Sequence, residues 1–384
     1  MRTTRQQLED RERQTLAPYA VHSADTRGRH YPEDESDYRT VFQRDRDRVL
    51  HTTAFRRLEY KTQVFLNSVG DYYRTRLTHT LEVAQIGRTV ARALGANEDL
   101  VEVICLSHDL GHPPFGHSGE HALNALMAHH NGFDHNKQTY RIVTELERRY
   151  PDFDGLNLTW ETLEGIVKHE TEYDIADANL YDPDLRGSLE AQIANIADEL
   201  AYTAHDLDDG LRSGMITPFQ LTGKIALWDR VCTSIGWNRL ELDEMTRRRL
   251  IRRLIGIEVD ALIAATDARL TAANPQSARE LQQLDYNVVG WDSEFANLNR
   301  EMKRFLYENL YRHYRVMRMA EKAERVLSDL FHAYVRQPLQ LPPTAYKRIE
   351  TVGLQRAVCD YLAGMTDRYA LEEHAKLFDP NTRP

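Results

Sequence analysis

Helical hydrophobic periodicity runs through almost the whole chain from about residue 41, whereas strand signals are scarce. The segment "TRLTHTLEVAQIGRTVARALG" places its apolar residues on one helical stripe and ends at Gly95, a residue suited to a helix C-cap. The best strand candidate is the short string "KTQVF", residues 61–65. Further helical segments are predicted at about 97–111, 118–130, 188–207, 218–234, 241–269, 292–332 and 344–376. Strands and helices do not alternate as in a Rossmann fold, so the sequence predicts a compact all-α protein.

Length, composition and charge limit the kinds of protein that this chain can be. A chain of 384 residues suggests about two domains or one large domain. No apolar run is long enough for a transmembrane helix, and the polar N-terminus has no signal-peptide core. Three widely spaced cysteines suggest a reducing cytoplasm. The net charge of −10 argues against a broad nucleic-acid surface.

One basic stretch, "QRDRDRVLHTTAFRRLEYKTQ", is a local exception to the acidic balance. Because acidic residues alternate with its arginines, it is interpreted as a solvated, salt-bridged helix face. The alternative is that some of its bases face a phosphate pocket.

The string "LSHDLGHPPFGHSGEH" contains four of the 16 histidines. His108 and Asp109 come at the end of a predicted helix, before a Gly-His-Pro-Pro break. Residues adjacent in a helix diverge by about 100°, so both can contact one ion only beside the helix end. His79, on the preceding predicted helix, is a candidate third ligand. Asp198 is a candidate fourth, because a carboxylate on an apolar helix face is costly unless it is paired or metal-bound.

Two histidines and two aspartates suit a divalent Mn, Fe, Co, Ni, Mg or Zn ion and leave coordination positions for water and substrate. A His-Asp pair alone is weak support, because such pairs occur by chance. A second pair, His205-Asp206, means that one of the two can be incidental. The metal site is favoured by the whole set: a histidine, a pair at a broken helix end and an aspartate on a third helix.

Longer strings add a resemblance to a known family. "AFRRLEYKTQVF", "RLTHTLEVAQIGR", "HDLGHPPFGHSGE", "FDHNKQTYRIV", "ADELAYTAHDLDDG" and "DYLAGMTDRYAL" resemble the bacterial dGTPase and dGTPase-like dNTP triphosphohydrolases of the HD superfamily. The resemblance extends from about residue 38 to 376. It implies an N-terminal polar extension at 1–40, an HD-domain catalytic core at 41–215 and a C-terminal helical region at 216–384 that packs on the core and at subunit contacts.

The implied reaction converts a dNTP and water into a deoxynucleoside and tripolyphosphate by attack at the α-phosphorus. The resemblance makes His117 and Glu120 the acid/base pair and adds His135 near the phosphates. Without it, His117 and Glu120 suggest only a helix start with a first-turn carboxylate. His121 has no assigned role.

Substrate contacts follow from the same resemblance. Arg76, one helical turn before His79, and His112 are candidate phosphate contacts. Tyr202 and Asp206 lie four and eight residues after Asp198 and project towards one broad side of the helix. The family places such a Tyr and Asp at the sugar, with a Gln, here Gln63, nearby. The Tyr ring can exclude a 2′-hydroxyl by a clash.

Several partners and two alternatives stay open. The family suggests homo-oligomers, hexamers or tetramers, and in some members a second dNTP as activator. One alternative is an HD phosphohydrolase that acts on another nucleotide. The other is a non-catalytic protein on the same fold that binds nucleotides, or weakly binds single-stranded DNA.

Overall fold

The computed structural model describes residues 2–63, 74–169, 181–238 and 241–383. No β-strand forms in these ranges; three isolated bridges, such as Thr62 with Thr75, are the only ladder contacts among them. The predicted strand "KTQVF" is therefore absent over residues 61–63, and its last two residues lie outside the described ranges. The all-α class is confirmed.

Eighteen α-helices occur in the described part of the chain. They are α1 Arg5–Thr15, α2 Val41–Leu50, α3 Thr53–Arg57, α4 Arg76–Leu94, α5 Glu98–Ser107, α6 Gly116–Leu126, α7 His135–Arg141, α8 Trp160–Val167, α9 Leu189–Arg212, α10 Pro218–Leu221, α11 Ala226–Ser234, α12 Glu244–Ala273, α13 Ala278–Gln282, α14 Ser293–Leu306, α15 Tyr314–Arg336, α16 Pro343–Val352, α17 Leu354–Ala363 and α18 Asp367–Phe378. Two π-helical turns, Ile142–Leu146 and Tyr307–Tyr311, extend α7 and α14. No helix among the described residues combines the length and apolarity needed to cross a bilayer.

The chain divides into two compact units. Unit 1 consists of Met1–Leu50, His79–Ser107 and Asn157–His313, and unit 2 consists of His51–Thr78, His108–Leu156 and Tyr314–Pro384. These units are discontinuous in sequence. The predicted domains at 1–40, 41–215 and 216–384 stay a prediction.

Unit 1 is built around α9. Helices α5, α8, α12 and α14 pack against α9, and 18 of its 24 residues are buried, so it forms the centre of this unit. Gly87 brings α4 close to its neighbours: a Cβ there would lie 2.9 Å from Val101 Cγ1 and 3.6 Å from Ala197 Cβ. This close approach places the polar side chains of α4 beside those of α9.

Unit 2 is built around α15, which packs against α6, α17 and α18. Its core is apolar and includes Leu123, Met127, Leu327, Phe331 and Leu362. Burial of such side chains is the main favourable contribution to folding, at roughly 25 cal/mol per Å² of apolar surface. The residues "HDLGHPPFGH" follow α5 and lead into α6, and one of them, Phe115, belongs to this core.

Several predicted helix ends were wrong for identifiable reasons. The helix predicted to close at Gly210 continues to Arg212, because Gly210 serves packing: a Cβ there would lie 2.6 Å from Ile216 Cδ1. Helix α6 begins at Gly116 rather than Ser118. The predicted segment 218–234 is two helices, separated near Gly223 in the left-handed region.

Candidate functional site

Asp198 lies on α9 in unit 1 with histidines on both sides. His79 Nε2 is 2.9 Å from one oxygen, Asp198 Oδ1, and His169 Nε2 is 3.6 Å from the other, Oδ2. Both histidine side chains are buried, and that of Asp198 is 16% exposed. Unit 1 therefore groups two predicted ligands, His79 and Asp198, with His169, which sequence reasoning missed.

The donor set of this cluster fits a divalent ion. Two adjacent ligands at about 2.1 Å from an ion lie about 3 Å apart. The 2.9 Å between His79 Nε2 and Asp198 Oδ1 matches that spacing, and it also matches a hydrogen bond. Imidazole nitrogen and carboxylate oxygen are ligands for the same transition metals that the sequence predicts.

Asp206, two turns after Asp198 on α9, is in contact with an aromatic pair. The Tyr311 hydroxyl donates a hydrogen bond to Asp206 Oδ2, and the Tyr311 and Tyr202 ring centroids are 5.9 Å apart. Burial, together with the neighbouring charge of Asp206, raises the pKa of Tyr311 well above its ordinary value, so the hydroxyl keeps its proton. Tyr311 thus contacts two of the predicted sugar contacts, Asp206 and Tyr202, and no sequence motif pointed to it.

Asp109, in unit 2, is surrounded by predicted site residues. Arg76 donates from one terminal guanidinium nitrogen to Asp109 Oδ1 at 2.6 Å. His112 Nε2 is 3.3 Å from the same oxygen, and His108 Nε2 is 3.5 Å from Oδ2. All four side chains are buried. Arg76 and Asp109, read separately from the sequence as phosphate contact and metal ligand, are thus an ion pair.

His112 is held neutral within this cluster. Burial, reinforced by the positive charge of Arg76 and by neighbouring histidines, keeps the pKa of His112 well below its usual range. Its Nδ1 atom is buried and makes no hydrogen bond to the described residues. The same holds for Gln63 Oε1 and Arg76 Nε. These three predicted substrate contacts therefore keep polar atoms that a bound molecule or water could satisfy.

Glu120 holds two imidazoles. Its Oε1 accepts from the backbone N–H of His135 and lies 2.8 Å from His135 Nδ1, while Oε2 lies 3.3 Å from His117 Nδ1. Burial alone would raise the pKa of Glu120, but the charge of His135 and the hydrogen bonds of both histidines outweigh it and hold that pKa well below its usual range. His135 is buried, and its ring stacks on that of His112 with 3.8 Å between the ring centroids. The His117 side chain, in contrast, is 43% exposed.

The turn between Asp109 and α6 is fixed by two residues from elsewhere in unit 2. The buried Lys61 ammonium donates to the carbonyl oxygens of His112 and Ala363, at 2.5 and 3.0 Å. Burial, together with nearby Arg57, lowers the pKa of Lys61 to about 7. Asp367 accepts from the backbone N–H groups of Phe115 and Thr62.

Phe115 sits in this turn with a φ of 66°, a left-handed conformation that costs a non-glycine residue energy. Its hydrogen bond to Asp367 helps to hold that conformation. Lys61 and Asp367 position the turn, and no spacing rule in the sequence pointed to this role. Their signal was only that each lies in a string shared with the family, "AFRRLEYKTQVF" and "DYLAGMTDRYAL".

Two arginines of the basic stretch are ion-paired, as the first interpretation states, but only partly solvated. On α2, Arg46 is 3.1 Å from both Asp99 and Glu102, and Arg48 is 2.8 Å from Glu33, so these arginines form the predicted ion-paired helix face. Lys61, in contrast, is buried against the turn after Asp109. His121, four residues after His117, is exposed.

The predicted site residues thus fall into one cluster in each unit. Unit 1 groups His79, Asp198, Tyr202 and Asp206 along α4 and α9. The other eight residues lie in unit 2: Gln63, Arg76, His108, Asp109, His112, His117, Glu120 and His135. Within unit 2, His112, His117 and Glu120 each place one ligand-type atom within 4.8 Å of the others, a second arrangement with metal-binding donors.

Two family models match the chain. An HD domain matches residues 76–203, and a phosphohydrolase-associated domain matches residues 289–376. The HD match includes every predicted site residue except Gln63 and Asp206. The second match includes Tyr311, which donates to Asp206, and Asp367, which accepts from the Phe115 N–H.

Curated relatives match almost the full length. A deoxyguanosinetriphosphate triphosphohydrolase-like protein of Geobacter metallireducens is 51% identical over 375 residues, covering 97% of each chain. One of Deinococcus deserti with the same description is 54% identical over 381 residues, covering 98% of this chain and 97% of its own. A third, of Ralstonia nicotianae, is 52% identical and covers 94% of each chain.

Proposed function

This chain belongs to the family of deoxyguanosinetriphosphate triphosphohydrolase-like proteins with an HD domain, and on that premise we propose that it hydrolyses deoxynucleoside triphosphates to deoxynucleoside and tripolyphosphate. The substrates are dGTP and other dNTPs. The observation that supports this most is the Glu120 cluster: one largely buried carboxylate contacts two imidazoles, of which His117 is open to solvent. This is an arrangement suited to proton transfer at a phosphate ester.

The proposed cofactor is one divalent ion, Mn, Mg, Co, Ni, Fe or Zn, bound by His79, His108, Asp109 and Asp198. The assignment rests on the family motif and on the donor chemistry of each unit. Such an ion would polarise an α-phosphate oxygen and hold a water molecule. Arg76, paired with Asp109, orients this carboxylate and adds positive charge beside the phosphates.

The protein's own residues supply the proton transfers. The Nδ1 atom of His117 faces Glu120, which leaves the ring's Nε2 directed away from the carboxylate. We assign His117 to proton exchange with water or the leaving 5′-oxygen, and Glu120 to orienting both His117 and His135. Gln63 is assigned to a sugar hydroxyl, which can donate to its unpaired Oε1, and neutral His112 is assigned to the phosphates.

Sugar recognition is assigned to α9. Asp206 accepts from the 3′-hydroxyl, while the Tyr202 ring packs under the deoxyribose and crowds a 2′-hydroxyl. The tyrosine pair and the hydrogen bond from Tyr311 fix the Asp206 carboxylate before substrate arrives. A site prepared in this way loses little ordering entropy on binding.

The test combines substrates with site variants. We would incubate the full-length protein with each dNTP and with GTP, in Mn, Mg, Co or Ni, with and without a second dNTP. The expected result is dNTP hydrolysis without GTP hydrolysis. His108→Ala and Asp109→Ala should lose turnover and bound metal together, while the exposed control His121→Ala should keep both. Wild-type rates in the two ligand variants would remove the metal from the mechanism.

Assembly and regulation are tested in the same preparation. We expect a homo-oligomer, a hexamer or tetramer, by light scattering. Stimulation of one dNTP's hydrolysis by another would identify an activator. Tight dNTP or single-stranded DNA binding without turnover, in any metal, would favour the non-catalytic alternative.

A further inference from the structure

Three side chains in unit 1 form a continuous chain of polar contacts that ends at Asp198. Glu82 Oε2 is 3.1 Å from His205 Nε2, and His205 Nδ1 is 3.2 Å from His79 Nδ1. On the far side of the same ring, His79 Nε2 is 2.9 Å from Asp198 Oδ1. These contacts through Glu82, His205 and His79, called the relay below, therefore connect a carboxylate at the surface to a proposed metal ligand.

The three side chains of the relay differ in their exposure to solvent. The side chains of His79 and His205 are each 2% exposed, whereas that of Glu82 is 43% exposed. Buried imidazole nitrogens require partners, and here each His205 nitrogen has one within 3.2 Å. Glu82 and His79 are three residues apart on α4, and Asp198 and His205 are seven apart on α9, so each pair lies on one helix face.

The carboxylate of Glu82 sets the direction of the hydrogen bonds. A neutral imidazole has one N–H donor and one acceptor nitrogen. Because a carboxylate only accepts, His205 donates from Nε2 to Glu82, and its Nδ1 is left as the acceptor. His79 must then donate from Nδ1, which leaves the lone pair of His79 Nε2 facing Asp198. The His79 lone pair and the Asp198 carboxylate can face each other in this way when they share a bound cation, whereas the opposite arrangement would place a His205 lone pair against the Glu82 carboxylate.

We propose that Glu82 and His205 are positioning residues that fix His79 in the tautomer and orientation required for its Nε2 to bind the divalent ion. The inference rests on the proposed function, since it concerns the metal of that site. A hydrogen bond to the remaining N–H of a ligating histidine raises the basicity of the ligand and restricts its ring. The second His-Asp pair, His205-Asp206, is therefore not incidental: His205 supports the metal side and Asp206 contacts Tyr311.

The experiment measures the affinity of the full-length apoprotein for Mn²⁺ by titration calorimetry, independently of activity. His205→Leu and His205→Asn form the central comparison, because the two side chains are nearly isosteric but only Asn offers an acceptor to His79 Nδ1–H. His205→Leu should weaken Mn²⁺ binding about 10- to 100-fold, and His205→Asn should recover most of the loss. The control His22→Ala, a histidine of unit 1 that pairs with Asp25, should bind as wild type.

Glu82→Gln provides an independent variant that leaves the buried histidine in place. It should weaken Mn²⁺ binding in the same direction, because the charge that fixes the His205 tautomer is lost. Equal affinity of His205→Leu and His205→Asn would show that His205 only fills space and would overturn the proposal. Wild-type affinity in Glu82→Gln would do the same, even if the His205 variants fail to fold.

The variant Asp198→Ala distinguishes failure of the positioning role of Glu82 and His205 from failure of the proposed metal site. If the wild-type protein binds no divalent ion, or if Asp198→Ala binds it unchanged, the metal site itself is wrong and the relay with it. If Asp198→Ala loses the ion while Glu82→Gln and His205→Leu keep it, the metal site stands and only the relay is rejected. Thermal melting in a chelator checks that each variant is folded.

Discussion

At the scale of single residues, the proposed chemistry depends on Glu120. This carboxylate accepts a hydrogen bond from the His135 backbone N–H and lies beside the rings of His135 and His117. Its depressed pKa means that it stays ionised over the whole neutral range. A permanently negative acceptor between two imidazoles stabilises whichever of them holds a proton.

We expect Glu120→Gln to lower kcat by roughly 10²- to 10⁴-fold. The amide keeps the shape of the side chain but removes the charge that stabilises a protonated His117. Steady-state kinetics with dGTP measure the effect, and Mn²⁺ binding in the same variant should be unchanged. A kcat within severalfold of wild type would place proton transfer elsewhere.

A variant of Tyr311 tests the proposed recognition of the sugar. Tyr311→Phe removes the donor to the buried Asp206 carboxylate, a hydrogen bond to a charged group worth about 1.5–3 kcal/mol. We expect kcat/KM for dGTP to fall roughly 10- to 100-fold. The effect should be smaller for 2′,3′-dideoxyguanosine triphosphate, which lacks the 3′-hydroxyl.

Tyr307→Phe, an exposed tyrosine in the same π-helical turn, is the matched control. Equal losses for the two nucleotides in Tyr311→Phe would show that Tyr311 acts through packing and not through Asp206.

At the scale of elements, the start of α9 is joined to two other segments by Glu190. One oxygen of this fully buried side chain accepts from the backbone N–H groups of Val21 and Asn97, at 3.1 and 2.9 Å. Asn97 in turn caps α5, since its side chain accepts from the Leu100 N–H. Glu190 therefore ties together the beginnings of the two helices that lead to Asp198 and His108.

Glu190 gives a pH dependence of stability with a definite sign. Burial raises its pKa to about 7, above the ordinary value of 4.5, so the folded state holds this proton more tightly than the unfolded state. The free energy of unfolding should decrease as pH rises from about 4.5 to 7, and level off above that range. The decrease from this group is at most about 3 kcal/mol.

Urea unfolding of the apoprotein at pH 5.5 and pH 8 measures this dependence. Glu190→Gln keeps an acceptor for both N–H groups and removes the titration, so its pH dependence should be weaker than that of wild type. Identical pH dependence in the two proteins would refute the assignment.

The helices also show which helix ends can be predicted from the sequence and which cannot. The junction of α4 and α5 could be predicted, because Gly95 and Asn97 are strong local signals, but α5 ends at Ser107, before the predicted end at Gly111. The end of α9 could not, because Gly210 is demanded by a contact with Ile216, a tertiary cause that no local pattern shows. The contact of Tyr311 with Asp206 is likewise a product of folding over 105 positions in sequence.

At the scale of the whole molecule, the all-α class predicted from the sequence is confirmed, and the residues named for the metal and phosphate sets stay a prediction. Sequence motifs indicate which residues belong to a site, but they do not show which side chains contact each other. The ion pair of Arg76 with Asp109 and the contacts from Glu82 through His205 to His79 appear only in three dimensions, because each joins residues that are distant in sequence. His205 was hidden by the ambiguity between two His-Asp pairs, and geometry gives each pair a separate role.

The central claim is that water attacks the α-phosphorus of a dNTP and releases intact tripolyphosphate. The most direct measurement is phosphorus NMR of the products formed from dGTP by the metal-loaded protein in ¹⁸O-labelled water. The account predicts tripolyphosphate that contains the label, with unlabelled deoxyguanosine as the only nucleoside product. Orthophosphate or pyrophosphate as the sole inorganic product, or label in the 5′-hydroxyl, would contradict it.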